Sequence, residues 1–112
     1  MILFSADKEK IKMIKHIVMF KLKATEDMTE YENALEAKKR FEKVIDGVDA
    51  LKKGELAINS PDAPDNNYTI ALICEFDDID GLNAYQEHPI HKAFGAFIAG
   101  IKTARACIDY EL

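Results

Sequence analysis

The sequence contains no tryptophan, and it has only two cysteines and three prolines among its 112 residues. Two cysteines cannot build the dense disulfide framework of a small secreted domain, so Cys74 and Cys107 are predicted to be free thiols. No apolar run approaches the roughly 20 residues of a membrane-spanning helix, and residues 1–4 are too few for a signal-peptide core. These absences favour a cytoplasmic protein that does not associate with membranes.

Basic residues are outnumbered by acidic ones. Fifteen lysines and arginines against 20 aspartates and glutamates give a formal net charge of −5, and the lysines are scattered along the chain. Nucleic-acid-binding domains usually carry a basic patch, so DNA and RNA are not expected partners. Apolar residues make up 48% of the chain, which excludes disorder, and the length suits one domain.

The first residues differ in character from the rest. Residues 1–12 are charged and weakly patterned, whereas a strongly apolar segment begins directly after Met13. We predict a single domain over residues 13–112. Residues 1–12 are predicted to be either a mobile extension or sequence upstream of a true start at Met13, and both alternatives stay open.

Hydrophobic periodicity predicts four strands and two helical regions in the order β-α-β-β-α-β. The strands are expected at residues 14–22, 51–59, 68–76 and 103–112. Between the second and third strands, residues 60–67 are rich in proline, aspartate and asparagine, which is typical of a hairpin connection.

The first helix is predicted to start at a cap provided by Thr25 or Asp27 and to end near Gly47. Its apolar stripe is predicted to comprise Met28, Tyr31, Ala34, Leu35, Ala37, Phe41 or Glu42, Ile45 and Val48. The second helical region is expected to begin at a cap on Asp78 and to be split at Pro89, because proline suits a first helical position. Its second half has amphipathic spacing, with apolar residues at Phe94, Phe97, Ile98 and Ile101.

This order of elements predicts a ferredoxin-like α+β fold, in which a four-stranded antiparallel sheet packs against helices on one face. The first strand alternates between two apolar faces, with His16, Val18, Phe20 and Leu22 on one face and Ile17 and Met19 on the other. The third strand is also apolar on both faces, so a single subunit would leave an apolar sheet face uncovered. A homodimer whose sheets pack face to face, as a dimeric α/β barrel, would cover it.

Candidate functional residues cluster in the segment Tyr85-Gln-Glu-His88-Pro-Ile-His91. His91 should lie in the first turn of a helix, where the helix dipole disfavours a charged imidazole, and a neutral imidazole suits a general base. Tyr85 could donate its hydroxyl to a developing oxyanion. His88 is more simply explained as a helix cap. Core packing of Tyr85 stays open as an alternative.

No metal or other cofactor is predicted. His88 and His91, with Asp109 as a third ligand, could bind a metal, but the chain has only three histidines and zinc usually takes three or four thiolate or imidazole ligands. No phosphate-binding loop, nucleotide fingerprint or Ser-His-Asp signature is present.

Three segments resemble the stress-responsive dimeric α/β-barrel (Dabb) family. They are Ile14-Lys-His-Ile-Val-Met-Phe-Lys-Leu22, the Tyr85-x-x-His88-Pro-x-His91 segment followed by Phe94, and the closing Cys107-Ile-Asp-Tyr110. The likeness runs from residue 13 to about residue 110. This resemblance implies a dimer of ferredoxin-like subunits. The family it points to includes a plant polyketide cyclase that closes a linear polyketide by an aldol-type condensation.

The resemblance also implies roles for particular residues. His91 and Tyr85 match the acid–base pair of that cyclase, Asp109 matches an aspartate that orients the histidine, and His16 matches a histidine lining the same pocket. The residues alone leave His16 open as a core side chain and Asp109 as an exposed charge. The remaining ligand-binding positions are expected to be Val18, Phe20, Ile70, Leu72 and Phe94. The loop at residues 60–67 is expected to set ligand size.

We therefore predict a homodimer that binds a small, largely apolar molecule in a barrel cavity. The most specific form of this prediction is a cyclase-like lyase reaction. One alternative is a non-catalytic stress-response or structural homodimer. A second, ranked lower because the chain has no tryptophan and no clear oxygenation motif, is a monooxygenase of the antibiotic-biosynthesis type on the same barrel.

Overall fold

The computed structural model describes residues 12–112, so all of the predicted extension except Lys12 lies outside the described residues. The elements along the chain are β1 (Ile14–Leu22), α1 (Glu30–Gly47), β2 (Lys53–Ile58), β3 (Ile70–Phe76), α2 (Ile79–Glu87), α3 (Pro89–Ala99) and β4 (Lys102–Glu111). The strands form one antiparallel sheet in the order β2-β3-β1-β4, which confirms the predicted ferredoxin-like fold. Among the described residues, no helix combines the length and the apolar character needed to cross a membrane.

Strand β1 lies in the interior of the sheet and has two different faces. Buried and half-buried residues alternate along it, and the half-buried ones lie on the face away from the helices. The buried residues on the helix side are Ile14, His16, Val18, Phe20 and Leu22. The far face also carries Ile73 of β3 and Ile108 of β4, which flank Ile17 in the sheet register. Both faces of β1 are therefore apolar, as predicted.

The position of β1 between β3 and β4 also keeps the two cysteines apart. Cys74 on β3 and Cys107 on β4 lie on opposite sides of β1, opposite His16 and Val18 respectively. Two strand spacings are about 10 Å, which no disulfide spans. Both thiols are free, as predicted.

The N-cap of helix α1 is Thr29, so the predicted caps at Thr25 and Asp27 were wrong. The Thr29 hydroxyl accepts a hydrogen bond from the Glu32 amide (3.0 Å), and the Glu32 carboxylate accepts one from the Thr29 amide (2.9 Å). This reciprocal capping box is worth about 1 kcal/mol in comparable helices. Thr25 lies in a preceding turn, closed by hydrogen bonds between its backbone and that of Met28.

The buried stripe of α1 is also shifted from the predicted one. Ala34, Ala37, Phe41 and Val48 are buried as expected, but Tyr31, Leu35 and Ile45 are exposed. The buried side instead includes Asn33 and Val44. The Asn33 amide donates to the Lys23 carbonyl (2.9 Å) and the Thr25 hydroxyl (3.2 Å), which holds this side of the helix against the end of β1.

The second helical region is split at Pro89, as predicted. Asp78 caps α2 by accepting from the Gly81 amide (2.8 Å), and His88 caps α3 by accepting from the Ile90 amide through Nδ1 (3.1 Å). His88 has extended backbone angles and ends one helix while starting the next. Its predicted role as a cap is confirmed. Tyr85 and His91 consequently lie on two different helices.

Candidate functional site

A cavity of about 170 Å³ lies between the sheet and the helices α2 and α3. Seven of the predicted site residues line it, namely His16, Val18, Phe20, Leu72, Tyr85, His91 and Phe94. Ile70 does not, because it is buried in the core between β1 and β2. Asp109 is not part of the lining either, although it contacts His16.

A larger hollow of about 480 Å³ lies elsewhere on the sheet and is bordered by the end of the predicted loop. It is lined by Met19, Ala57, Ile58, Asn59, Asn66, Asn67, Tyr68, Thr69, Ile70 and Ala71. None of these side chains is a histidine, a cysteine or a charged group. The smaller cavity is the better candidate for chemistry, and the loop at residues 60–67 does not line it, contrary to expectation.

His91 is half-buried in the first turn of α3. Its Nδ1 lies 3.2 Å from the carbonyl oxygen of Gln86. A carbonyl can only accept, so Nδ1 carries the proton and Nε2 holds the lone pair of the neutral ring. Burial lowers the pKa of His91, the nearby His16 and His88 act in the same direction, and the Gln86 bond opposes them in part. His91 is therefore a neutral imidazole near pH 7.

The protonation of His91 can be measured directly. We expect its imidazole to titrate below the ordinary histidine value of 6.5 in two-dimensional NMR spectra recorded across acidic and neutral pH. Because the pKa is lower in the folded than in the unfolded chain, the stability linked to this group is complete above the ordinary value and is lost as the pH falls through the folded one. Urea unfolding of His91→Gln should lose this part of the pH dependence. A measured pKa at or above 6.5 would contradict the assignment.

Tyr85 is fully buried beside His91. Its ring centroid lies 4.3 Å from that of His91 and 5.0 Å from that of Phe76. Its hydroxyl is buried beside the Cys74 thiol and makes no hydrogen bond of normal geometry within residues 12–112. Burial raises the pKa of Tyr85, the adjacent Cys74 thiol raises it further, and the phenol stays protonated. Burial also raises the pKa of Cys74 to about 12, so that thiol is neutral.

An unpaired buried hydroxyl is costly. Leaving a buried donor unsatisfied costs about 1–3 kcal/mol, which an acceptor atom from a ligand could relieve. Since Tyr85 lines the cavity, a ligand oxygen bound there could accept a hydrogen bond from its hydroxyl. Core packing of Tyr85 is therefore confirmed, and its role as a hydrogen-bond donor to a ligand stays a prediction.

Asp109 contacts His16 and not His91. It lies directly opposite His16 in the register of β1 and β4, and its Oδ1 is hydrogen-bonded to His16 Nδ1. The predicted Asp109–His91 contact is therefore corrected, because antiparallel pairing carries the aspartate to β1 and the Gln86 backbone orients His91 instead. The His16 ring meets Phe76 and Tyr85 edge-on, at centroid distances of 6.4 Å and 6.2 Å.

Two basic side chains that line the cavity were not predicted from the sequence. Lys102 and Arg105, both on β4, reach the cavity, and the Lys102 ammonium lies 5.8 Å from the centre of the Phe20 ring. Arg105 is in phase with Cys107 and Asp109 along the strand, and this alternation was the signal that could have placed it. Positive charge at the edge of a cavity stabilises a ligand on which negative charge develops. The remaining lining residues are Gln86, Gly95 and Ile98.

Comparison with known proteins gives a family and a fold. A family model described as the stress responsive A/B barrel domain matches residues 14–112. No curated protein matches the chain. A crystal structure from Bacteroides fragilis, described as a dimeric protein of unknown function with a ferredoxin-like fold, is 36% identical, with a TM-score of 0.71 over 89% of this chain and 96% of its own.

Two further structures are similar over most of their length. A dimeric ferredoxin-like protein of unknown function from Thermobifida fusca is 27% identical, with a TM-score of 0.76 over 90% of this chain and 92% of its own. A hydroxynitrile lyase from Passiflora edulis is only 10% identical, with a TM-score of 0.73 over 91% of this chain and 94% of its own. At that identity the likeness to the lyase concerns the fold alone.

Proposed function

We propose, since the chain belongs to the stress-responsive A/B barrel (Dabb) domain family, that it binds a small, largely apolar carbonyl compound and moves a proton on it. His91 is the general base and Tyr85 is the hydrogen-bond donor. The observation that carries the proposal is that a lone-pair imidazole and an unpaired phenol line the same cavity. Together they form the pair of groups that enolisation needs.

The proposed step begins with His91 Nε2 removing a proton from the carbon next to a carbonyl group. The electrons of the broken C–H bond move to the carbonyl oxygen, where the Tyr85 hydroxyl donates a hydrogen bond to the enolate. The charge of Arg105 favours the same state. In a substrate with a second carbonyl within reach, the enolate carbon attacks it and forms a C–C bond. The proton held by His91 then passes to the new alkoxide, which completes an aldol-type ring closure.

The size and lining of the cavity limit the substrate. Its volume of about 170 Å³ is close to that of engineered apolar cavities of about 150 Å³ that bind benzene. One small ring or a short chain fits, and a longer substrate would extend past the exposed strand β4. Phe20, Leu72 and Phe94 supply apolar walls, which favour an apolar ligand and keep water from the enolate.

The proposal includes a homodimer formed by the sheet face away from the helices. Ile17, Met19 and Ile73 lie there, and Ile108 is 58% exposed beside them. The solved relatives from Bacteroides fragilis and Thermobifida fusca are described as dimeric. We expect sedimentation velocity to give a dimer and the Ile108→Glu variant to give a monomer, because a buried unpaired carboxylate opposes packing. A wild-type monomer at micromolar concentration would contradict this part of the proposal.

Hydrogen–deuterium exchange tests the chemistry without knowledge of the natural substrate. Acetophenone and cyclohexanone in D2O are suitable probes, because loss of their α-proton signals in NMR spectra reports enolate formation. We expect the full-length protein to accelerate exchange beyond free imidazole at the same concentration. Exchange no faster than with imidazole contradicts the catalytic proposal. Saturable binding of the probe without exchange would favour the non-catalytic alternative.

A further inference from the structure

We propose that His16, Cys107 and Asp109 form a zinc-binding site at the outer edge of the sheet. His16 lies opposite Asp109 in the register of β1 and β4, and Cys107 lies opposite Val18. Side chains two residues apart on a strand project from the same face, so Cys107 and Asp109 reach the side on which His16 is buried. The fold thus brings an imidazole, a thiol and a carboxylate together from two neighbouring strands.

The distances suit a zinc ion. The Cys107 Sγ lies 3.6 Å from His16 Nδ1 and 3.9 Å from Asp109 Oδ1, and the three ligand atoms all lie within 4.8 Å of one another. A tetrahedral zinc with Zn–S of about 2.3 Å and Zn–N of about 2.0–2.1 Å separates sulfur from nitrogen by about 3.5 Å. The histidine–cysteine edge is therefore already formed. The carboxylate, hydrogen-bonded to His16, has to move away from the imidazole to make room for the ion.

The three ligands differ in how firmly they are held. The His16 side chain is 4% exposed and is fixed by the rings of Phe76 and Tyr85, whereas that of Asp109 is 39% exposed. Cys107 is exposed as well. A metal ion can therefore approach from solvent, and the two outer ligands can adjust around a fixed imidazole. This combination of one rigid and two adaptable ligands suits reversible binding.

The chemistry of the ligands favours zinc over calcium or magnesium. The latter two prefer sets made of oxygen atoms, whereas thiolate and imidazole ligands select zinc and related transition metals. Three protein ligands leave the fourth tetrahedral position for water, as in open zinc sites. Binding requires that the thiol lose its proton and that His16 present an unprotonated Nδ1 to the ion. The site thus differs from a trio of His88, His91 and Asp109, since His88 caps α3 and Asp109 lies beside His16.

Cobalt spectroscopy tests the site in the full-length protein after metals have been removed. We expect one Co²⁺ per chain, with a near-ultraviolet thiolate-to-cobalt charge-transfer band and intense visible bands typical of tetrahedral coordination, and we expect Zn²⁺ to displace it. Cys107→Ser should abolish the charge-transfer band. It should also weaken zinc affinity by at least about tenfold, since even loss of an outer-shell partner costs that much. Asp109→Asn should weaken zinc affinity in the same direction.

The second cysteine provides a matched control. Cys74→Ala removes the buried thiol on the far side of β1 and should retain the charge-transfer band. Absence of the band in the wild-type protein, or a band that survives Cys107→Ser, would overturn the proposal. If Cys74→Ala does not fold, the metal affinities of Cys107→Ser and Asp109→Asn test the proposal without it. Both positions are exposed, so these two variants should fold. The readout is metal binding, so it stands or falls independently of the exchange reaction proposed for His91.

Discussion

Replacing His91 with asparagine is expected to slow α-proton exchange by about 10²- to 10⁴-fold, the usual contribution of a positioned general base. Asparagine resembles the imidazole in size and can still donate to the Gln86 carbonyl, but it has no basic nitrogen. Exchange rates of the ketone probes in D2O, measured by NMR at fixed pH, give the ratio directly. Binding of the probes should change much less than the rate.

The segment supplies its own control in His88. His88→Asn removes the neighbouring imidazole but retains a residue well suited to cap α3, so exchange should be nearly unchanged. Tyr85→Phe removes only a hydroxyl that makes no hydrogen bond of normal geometry among residues 12–112, so it should slow exchange without loss of stability. If His91→Asn keeps the wild-type rate, or if His88→Asn loses as much, His91 is not the base.

The largest expected effect on stability is that of Phe41→Ala, about 3–5 kcal/mol. Phe41 is completely buried on α1, and its ring centroid lies 5.3 Å from that of Phe94 on α3. Truncation would leave a hole between the two helices and remove support from a residue that lines the cavity. Urea unfolding at a fixed protein concentration measures the loss, and probe binding should weaken in parallel.

Leu35 on the same helix makes the comparison specific. The sequence pattern placed Leu35 in the apolar stripe, but the side chain is 45% exposed. Leu35→Ala should therefore change the free energy of unfolding by only about 0.5 kcal/mol, as surface substitutions usually do. A cost for Leu35→Ala similar to that for Phe41→Ala would show that the buried side of α1 has been assigned wrongly.

The sequence was sufficient for the sheet but not for the side of α1 that faces it. Strand β1 could be predicted to its ends because alternation and β-branched residues define it without knowledge of its neighbours. In α1, two adjacent stripes are both apolar enough to be buried. The choice depends on the hydrogen bonds of Asn33 and on the small side chains of Ala34 and Ala37, and these matter only once the sheet is in place.

The candidate site likewise has one part that could be predicted from the sequence and one part that could not. Tyr85 and His91 could be placed near one another because they are close in sequence and flank a predicted helix break. The contact between His16 and Asp109 joins residues 93 positions apart, and it depends on the register of two strands. A shift of that register by one residue would turn Asp109 to the opposite face, so the pairing is fixed by the whole sheet.

The helix break at His88 and Pro89 changes the directions in which the side chains of Tyr85 and His91 point. In one continuous helix Tyr85 and His91 would be about 120° apart around the axis and about 9 Å apart along it. Their side chains would then point to different surroundings. Restarting the helix at Pro89 resets this phase, and the two rings come within 4.3 Å of one another. A proline that interrupts regular structure is thus what allows residues less than two turns apart to face one ligand.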